Sequence, residues 1–246
     1  MRSKPAILFS LRYTEGMGTA DKIPIVLLPG MDGSGVLLSA LIESLASFRP
    51  VQVISFPNDR PLTYDELTAF VLQRTPDGRF VVLGESFSGP IAIEVAATQQ
   101  RVAGLVLASS FARHPMPTLL VPLARMLDLR WVPARVVEAA LLGSAESLDL
   151  KEGLGRVLAK LPREVLRARA WEVLRIDKRN RLCAVTCPIL CLHGRFDRLV
   201  RRKCLDEITA LHPRCEVRTF DAPHMLLETR PGEAALAINH FCDQLI

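Results

Sequence analysis

Short apolar runs rich in β-branched residues alternate with helical patterns along most of this chain. Six of these runs are predicted to be strands: Ile25–Leu28, Val51–Phe56, Phe80–Leu83, Leu105–Ala108, Ile189–Leu192 and Glu216–Phe220. Most of them read as buried on both faces, as in a parallel sheet. The alternation predicts an α/β fold, in which a mostly parallel central sheet carries helices on both faces.

Helical spacing marks the segments between the predicted strands. Thr63 and Glu66 have the spacing of a capping box at a helix start, and Pro231 stands near the start of the last predicted helix. Apolar residues recur at helical spacing at Leu38, Leu41, Ile42 and Leu45 in the first helix, and at Ala234, Ile238, Phe241 and Leu245 in the last. We expect these helices to pack against the sheet.

The alternation stops after Ser109, and about 70 residues follow without a convincing strand. Prolines divide this segment into several short helices. The predicted helical stretches are Leu119–Leu129, Pro133–Leu142, Ser147–Leu161 and Arg163–Ile176. We therefore predict an α/β core formed by residues 1–111 and 183–246, with residues 112–182 inserted as a helical cap.

The net charge of +5 is concentrated in this predicted cap. Residues 112–182 contain eleven Arg and three Lys against eight acidic residues. A nucleic-acid-binding surface would combine such charge with aromatic residues in a known module, whereas only Trp131 and Trp171 are present. We predict no nucleic-acid partner and interpret the cap as a mobile lid, with arginines facing solvent and an apolar underside facing the substrate.

The sequence also argues against several other classes of protein. The six cysteines form no C-x-x-C pair and accompany no histidine cluster, so no metal site is predicted. The motifs of phosphate-binding and dinucleotide-binding loops are missing, and no cofactor is predicted. A spanning helix needs roughly 18 to 20 apolar residues, and no stretch approaches that length. With no secretory signal pattern either, we expect a cytoplasmic protein without integral membrane contact.

Ser86 is the candidate nucleophile. It follows the predicted strand at Phe80–Leu83 in the run Gly-Glu-Ser-Phe-Ser-Gly-Pro, and helical spacing resumes at Ile91. A serine on such a strained strand-to-helix turn needs small residues two positions before and after it, and Gly84 and Ser88 meet that need. Ser88 is the weaker candidate, because Pro90 would stand at its own second position.

A serine nucleophile requires a histidine to take its proton and an acid to orient that histidine. His224 lies just past the last predicted strand, at the sheet edge where the carboxyl ends of parallel strands meet. The other histidines, at 114, 193, 212 and 240, have placements that favour structural roles. Asp197 follows the strand at Ile189–Leu192 and is the preferred acid. Its rival Asp221 is only three residues before His224 and is better placed to cap a turn.

The first predicted strand runs into the glycine-rich turn Pro-Gly-Met-Asp-Gly-Ser-Gly, residues 29–35. Acyl transfer passes through a tetrahedral oxyanion that needs two N–H donors. The backbone amides of Met31 in this turn and of Phe87 after the serine are the natural pair.

These motifs resemble the α/β-hydrolase superfamily, in which the nucleophile, acid and histidine follow one another in the order of Ser86, Asp197 and His224. The resemblance covers nearly the whole chain from about Ile23, and its turn sequences look like those of small esterase and lipase members and acyltransferase relatives. Two features depart from the family's pattern: Pro29-Gly30 replaces the usual His-Gly, and Ser88 replaces the second glycine of the elbow. In addition, only Ala6 to Tyr13 could form a strand before the first core strand.

The sequence thus predicts a serine hydrolase that cleaves small carboxylic esters, of short to medium acyl length, through an acyl-enzyme. One alternative is an acyltransferase or thioesterase, because the basic cap would attract an acidic acyl carrier. The other is a receptor that keeps the fold and binds a small molecule without turnover. The oligomeric state is not predicted.

Overall fold

Six parallel strands form the central sheet in the computed structural model, which describes residues 21–116, 134–143 and 147–245. The strands are β1 (Ile25–Leu28), β2 (Val51–Val53), β3 (Phe80–Glu85), β4 (Val102–Ala108), β5 (Ile189–Gly194) and β6 (Glu216–Phe220). Their order across the sheet is β2-β1-β3-β4-β5-β6, and every neighbouring pair is parallel. The predicted α/β fold is confirmed. The segment from Ala6 to Tyr13, which could form a further strand, lies outside the described residues.

Ten α-helices accompany this sheet in the described part of the chain. They are α1 (Ser39–Ala46), α2 (Tyr64–Leu72), α3 (Gly89–Thr98), α4 (Ala134–Leu142), α5 (Leu148–Lys160), α6 (Arg163–Val173), α7 (Arg179–Cys183), α8 (Arg202–Leu211), α9 (Leu226–Thr229) and α10 (Pro231–Asp243). The predicted capping box is present, since the Thr63 side chain accepts from the Glu66 amide and the Glu66 carboxylate accepts from the Thr63 amide. Short 3-10 segments at Val36–Leu38 and Ser86–Ser88 precede α1 and α3.

Side chains of the strands pack into two separate apolar layers, one on each face of the sheet. Val26 and Leu28 of β1 belong to the layer that includes apolar residues of α2, α3, α7 and α8. Ile25 and Leu27 point to the other layer, with residues of α1, α9 and α10. Because both faces are covered, β1, β3, β4 and β5 are buried along their whole length, which is why the sequence shows most of each of them as a continuous apolar run.

Four strands differ in length from the sequence-based prediction, and two of them, β3 and β5, extend two residues further, to Glu85 and Gly194. β4 begins at Val102, three residues earlier than predicted, because Gly104 lies under the last helix: a Cβ at Gly104 would be 2.8 Å from Leu245 Cδ1 and 3.0 Å from Phe241 Cε1. β2 ends at Val53 rather than at Phe56. The Phe56 amide there donates to the Gly33 carbonyl at 2.7 Å, so the chain leaves the sheet to pack against the turn after β1.

The helical insertion lies between β4 and β5, which are themselves hydrogen-bonded neighbours. Its two ends meet in a short stem, in which Arg113 and Asp177 form an antiparallel bridge and the Lys178 amide donates to the Ala112 carbonyl at 2.7 Å. Helices α4, α5 and α6 correspond to three of the predicted helices. The fourth, at Leu119–Leu129, lies outside the described residues.

Helix α6 is anchored to the core through a buried arginine. The expectation that the arginines of the insertion face solvent is wrong for Arg169, which is only 1% exposed. Its guanidinium group donates to backbone carbonyls of two core loops, so burial leaves these N–H groups bonded. One turn further on, the Glu172 carboxylate accepts from the Tyr64 amide at the start of α2, at 2.8 Å.

None of the helices in the described ranges is long and apolar enough to span a membrane.

Candidate active site

Ser86 stands at the turn between β3 and α3 with a backbone φ of 48°. This left-handed conformation is strained for a residue with a side chain and is typical of a nucleophile elbow. Gly84 allows the turn to close, since a Cβ there would lie 2.7 Å from Ala92 Cβ and 2.9 Å from Gly89 Cα. The sequence-based prediction of an elbow with small neighbours agrees with this geometry.

Two further serines support the turn. The Ser88 hydroxyl lies 2.7 Å from the Leu28 carbonyl and accepts from the Glu85 amide at 3.0 Å, so it ties the elbow to β1. The Ser110 hydroxyl donates to the carbonyl of Ser86 at 2.7 Å. A serine in place of the usual second glycine is therefore accommodated, because its hydroxyl bonds to buried backbone groups.

The structure brings the three predicted triad residues together in one chain of hydrogen bonds. Ser86 Oγ and His224 Nε2 are 2.8 Å apart, and His224 Nδ1 and Asp197 Oδ2 are also 2.8 Å apart. Oδ1 of Asp197 accepts from the amides of Leu199 and Val200 at 2.9 and 2.8 Å. The carboxylate is thus held in one orientation, and the imidazole points its other nitrogen at the serine.

The rival residues are found elsewhere. Asp221 is exposed and pairs with Arg195 at 3.0 Å, so it does not reach His224. His193 is buried beyond hydrogen-bonding reach of the serine, and its pKa is lowered chiefly by burial. His114 bonds to the Met116 carbonyl and His240 to Gln244.

The turn after β1 is held in place by several hydrogen bonds. The Gly30 amide donates to Glu85 Oε2 at 3.0 Å, and the Gly30 carbonyl accepts from the Gly33 amide at 3.0 Å. The Met31 carbonyl accepts from Arg169 Nη1 at 2.8 Å. No acceptor for the Met31 amide is found among the described residues, and Phe87 lies in the first turn of a helical segment, where amides lack intrahelical partners. Both predicted oxyanion donors therefore belong to fixed, partly unpaired backbone.

A pair of buried carboxyl groups lies behind the elbow, and sequence analysis missed it. Glu85 directly precedes Ser86, and its carboxyl group lies next to that of Glu228, four residues after His224. Two adjacent buried carboxyl groups do not both ionise, because like charges repel each other strongly in a dry site. Burial raises the pKa of Glu228 well above its ordinary value of 4.5, and the adjacent Glu85 raises it further. We assign the proton to Glu228, which leaves Glu85 ionised to accept from Gly30.

A cavity of about 300 Å³ lies between α5 and the turn after β1. Asp32, Ser34 and Asn58 line its core side, and Arg156 and Lys160 of α5 line the other. Asp32 is bound locally, accepting from the Ser34 amide at 2.8 Å and from the Ser34 hydroxyl. The cavity thus places two cationic side chains beside the loop that carries Met31.

Apolar residues of the insertion also reach the neighbourhood of the histidine. Met225, which follows His224, packs with Leu142 and Leu154 in a small apolar cluster. Its amide donates to the Leu141 carbonyl at the end of α4, at 3.0 Å. The insertion therefore contacts both the histidine loop and the loop of Met31.

Within the described ranges, no group of three or more His, Cys, Asp and Glu is placed to hold a metal ion.

A parallel sheet that carries a serine on a strained elbow, with the serine hydrogen-bonded to a histidine and that histidine to an aspartate, is the arrangement typical of the α/β-hydrolase fold. A protein-family sequence model described as "Alpha/beta hydrolase family" matches residues 25–238, so the chain belongs to the α/β hydrolase family.

Among curated relatives, a pimeloyl-[acyl-carrier protein] methyl ester esterase of Citrobacter koseri is 28% identical, over 92% of this chain and 94% of the relative. The enol-lactonase from Burkholderia xenovorans has a similar structure, with a TM-score of 0.80 at 17% identity over 94% of this chain and 95% of that one. A thermophilic esterase from Thermogutta terrifontis has a TM-score of 0.76 at 21% identity, over 92% of both chains. These likenesses support the fold.

Proposed function

We propose that this protein is a serine hydrolase that cleaves carboxylic esters of short to medium acyl length through an acyl-enzyme intermediate. The observation that carries the proposal is the hydrogen-bonded chain from Ser86 through His224 to Asp197, with the serine on a positive-φ elbow. Esterases among the relatives and structural neighbours make ester hydrolysis the first activity to test.

The reaction would proceed in two halves. Ser86 Oγ attacks the ester carbonyl carbon while His224 Nε2 takes its proton, and the amides of Met31 and Phe87 bind the oxyanion. The intermediate collapses, the C–O bond to the alcohol breaks, and His224 returns the proton to the leaving alcohol. A water molecule deprotonated by His224 then attacks the acyl-enzyme, and the carboxylic acid leaves as Ser86 is regenerated.

Hydrolysis of p-nitrophenyl esters of increasing acyl length tests this proposal. We expect turnover by the native protein and its loss in Ser86→Ala, because no other group in this geometry can form the acyl-enzyme. Ser88→Ala is the matched control and should keep most of the activity, since its hydroxyl bonds only to backbone. Activity retained in Ser86→Ala and lost in Ser88→Ala would contradict the assignment.

The acid of the triad is tested by two asparagine substitutions. Asp197→Asn should lower kcat by roughly 10⁴-fold, because an amide at that position favours the wrong tautomer of the histidine. Asp221→Asn should leave kcat almost unchanged, since Asp221 pairs with Arg195 at the surface. The reverse pattern would mean that the acid is misassigned.

A second candidate function is hydrolysis or transfer of acyl groups attached to an acidic carrier. Arg156 and Lys160 line the cavity beside the loop of Met31, where a carrier's phosphate group would meet two positive charges. The relative from Citrobacter koseri is named for an ester attached to an acyl carrier protein. This candidate uses the same triad and differs in the group that is recognised.

Charge reversal separates the two candidates. If the substrate is carried by an acidic protein or by coenzyme A, Arg156→Glu combined with Lys160→Glu should raise KM for the carrier-linked substrate at least tenfold. The same variant should leave hydrolysis of p-nitrophenyl acetate unchanged. Arg163→Glu, on the exposed start of α6, is the control for a general change in charge. Equal effects on both substrates would argue against carrier recognition.

A further inference from the structure

Arg169 is a buried cation whose side chain crosses from the insertion to the core. It is 1% exposed, although it belongs to a surface helix rich in charged residues. Its Nη1 donates to the Met31 carbonyl at 2.8 Å, and its Nη2 donates to the Pro57 carbonyl at 3.0 Å and to Asn58 Oδ1 at 2.8 Å. The guanidinium carbon is 5.7 Å from the Phe56 ring centre and 5.8 Å from that of Phe87.

These contacts help to fix the backbone on both sides of the Met31 amide, one of the two proposed oxyanion donors. The peptide unit that carries the Met31 amide is fixed at its start by Glu85 and by the Gly33 amide. The next peptide unit is fixed at the Met31 carbonyl by Arg169. The guanidinium carbon also lies 5.8 Å from the ring centre of Phe87, the residue whose amide is the second proposed donor. Gly33 leaves room for this arrangement, since a Cβ at Gly33 would lie 2.7 Å from Arg169 Nη1.

The charge of Arg169 is also incompletely neutralised by its surroundings. Its hydrogen bonds go to neutral oxygens, and the carboxylate that acts on it, Asp32, is bound to Ser34. Burial lowers the pKa of Arg169 to about 10, so the group remains a cation at neutral pH. In a dry site such a cation binds the carbonyl oxygens that it contacts more strongly than it would in water.

We propose that Arg169 is a positioning residue of the active site: it holds the Met31 loop in the conformation that binds the oxyanion, and it makes that conformation depend on the docking of α6. This inference rests on the proposed function, because it assumes that Ser86 attacks an electrophile whose oxygen becomes negative. It implies that the insertion contributes to the rate of the chemical step as well as to the binding of the substrate.

The test compares Arg169→Met and Arg169→Lys with two variants of the same helix. We expect Arg169→Met to lower kcat for p-nitrophenyl esters by roughly 10- to 100-fold with little change in KM, less than the 10²- to 10³-fold loss when an oxyanion donor itself is removed. Arg169→Lys should recover part of this loss. Glu172→Gln weakens the docking of α6 without contacting the Met31 loop and should lower kcat less than Arg169→Met does, whereas Arg167→Met changes an exposed charge and should leave kcat unchanged.

Phosphonylation of Ser86 by a fluorophosphonate supplies a readout that does not require turnover. The same amides would bind the phosphoryl oxygen, so Arg169→Met should slow phosphonylation by a factor close to its loss in kcat. If the native protein is phosphonylated but hydrolyses no ester, the proposed function fails while the role of Arg169 is still measured. A kcat and a phosphonylation rate within twofold of the native values in Arg169→Met would overturn the inference.

A purely structural role predicts a different pattern. Arg169→Met and Glu172→Gln would then lower the melting temperature together and reduce activity only in proportion to the unfolded fraction. If Arg169→Met does not fold, Arg169→Lys carries the test, because lysine keeps the charge but cannot make all three hydrogen bonds. A native kcat in that variant, with native KM, would also overturn the inference.

Discussion

At the scale of single residues, the unusual feature is that two buried carboxyl groups, those of Glu85 and Glu228, lie side by side next to Ser86. With the proton on Glu228, Glu85 keeps its negative charge and accepts a hydrogen bond from the Gly30 amide. The Glu228 carboxyl group is then neutral, since its pKa is raised. We infer that the pair fixes the position of the Gly30 turn relative to Ser86, because the Gly30 amide donates to Glu85, the residue before Ser86.

This pair predicts a dependence of stability on pH. The pKa of Glu228 is raised in the folded protein, so between pH 4.5 and that raised value the folded state binds more protons than the unfolded chain. The free energy of unfolding therefore falls as the pH rises through this range. Glu228→Gln keeps an N–H donor for Glu85 without titrating, so its stability relative to the native protein should increase between pH 5 and pH 9.

Urea unfolding at both pH values measures this difference. Glu233→Gln, which removes an exposed carboxylate from α10, is the control and should show a difference near zero. Parallel stability curves for the native protein and Glu228→Gln would mean that Glu228 is already ionised in the folded state.

The residues that the sequence identified share a local signal. Ser86 stands between small residues after an apolar strand, and Asp197 and His224 each follow a strand at the same sheet edge. Arg169 and Glu228 carry no such signal. The carbonyl that Arg169 binds is 138 positions away in the chain, and Glu228 matters only because a second carboxylate reaches it. Contacts between residues so far apart in the chain cannot be predicted from the pattern of a single sequence.

At the scale of elements, the close packing of β4 against α10 decides what residue 104 can be. Valine has a higher strand propensity than glycine, yet a side chain at position 104 would collide with Leu245 and Phe241. We expect Gly104→Val to lower the free energy of unfolding by about 2 kcal/mol, in the range for overpacked sites. Leu245→Ala in the same chain should recover part of the loss.

Chemical denaturation checks this prediction, with Gly78→Ala as the control. Gly78 is exposed and a Cβ there would meet nothing within 4 Å, so its substitution should change stability by less than about 0.5 kcal/mol. A stabilised Gly104→Val would show that strand propensity outweighs the packing against α10. The same packing explains why the first three residues of β4 were missed: Val102, Ala103 and Gly104 do not read as a strand without it.

At the scale of the whole molecule, the insertion is attached to the core with unequal strength along its length. Helix α6 buries Val165 and Arg169, and it is hydrogen-bonded to the Met31 loop, to the loop of Pro57 and to the start of α2. In helix α5, the buried residue is Leu154. We expect hydrogen exchange to be slowest in β3, faster in α6 and faster again in α5, because local opening is easiest where few groups are buried.

Exchange rates measured at single amides would show this order directly. Protection in α5 equal to that in β3 would contradict the interpretation of the insertion as a segment that opens. Equal protection in α5 and α6 would mean that the Arg169 and Glu172 contacts add nothing to local stability. The prediction from sequence treated the whole insertion as one mobile lid, since its helices looked alike; the buried arginine distinguishes one of them.

The stem at the base of the insertion has an evolutionary consequence. Because Arg113 and Asp177 already bring the two ends together, the chain between them can lengthen or shorten at small entropic cost, about 0.6 kcal/mol per doubling of a loop. We infer that this segment can be exchanged for another one while the sheet stays unchanged. A graft that omits a donor for the Met31 carbonyl should fold and bind but react slowly, so a successful transplant must bring its own anchor.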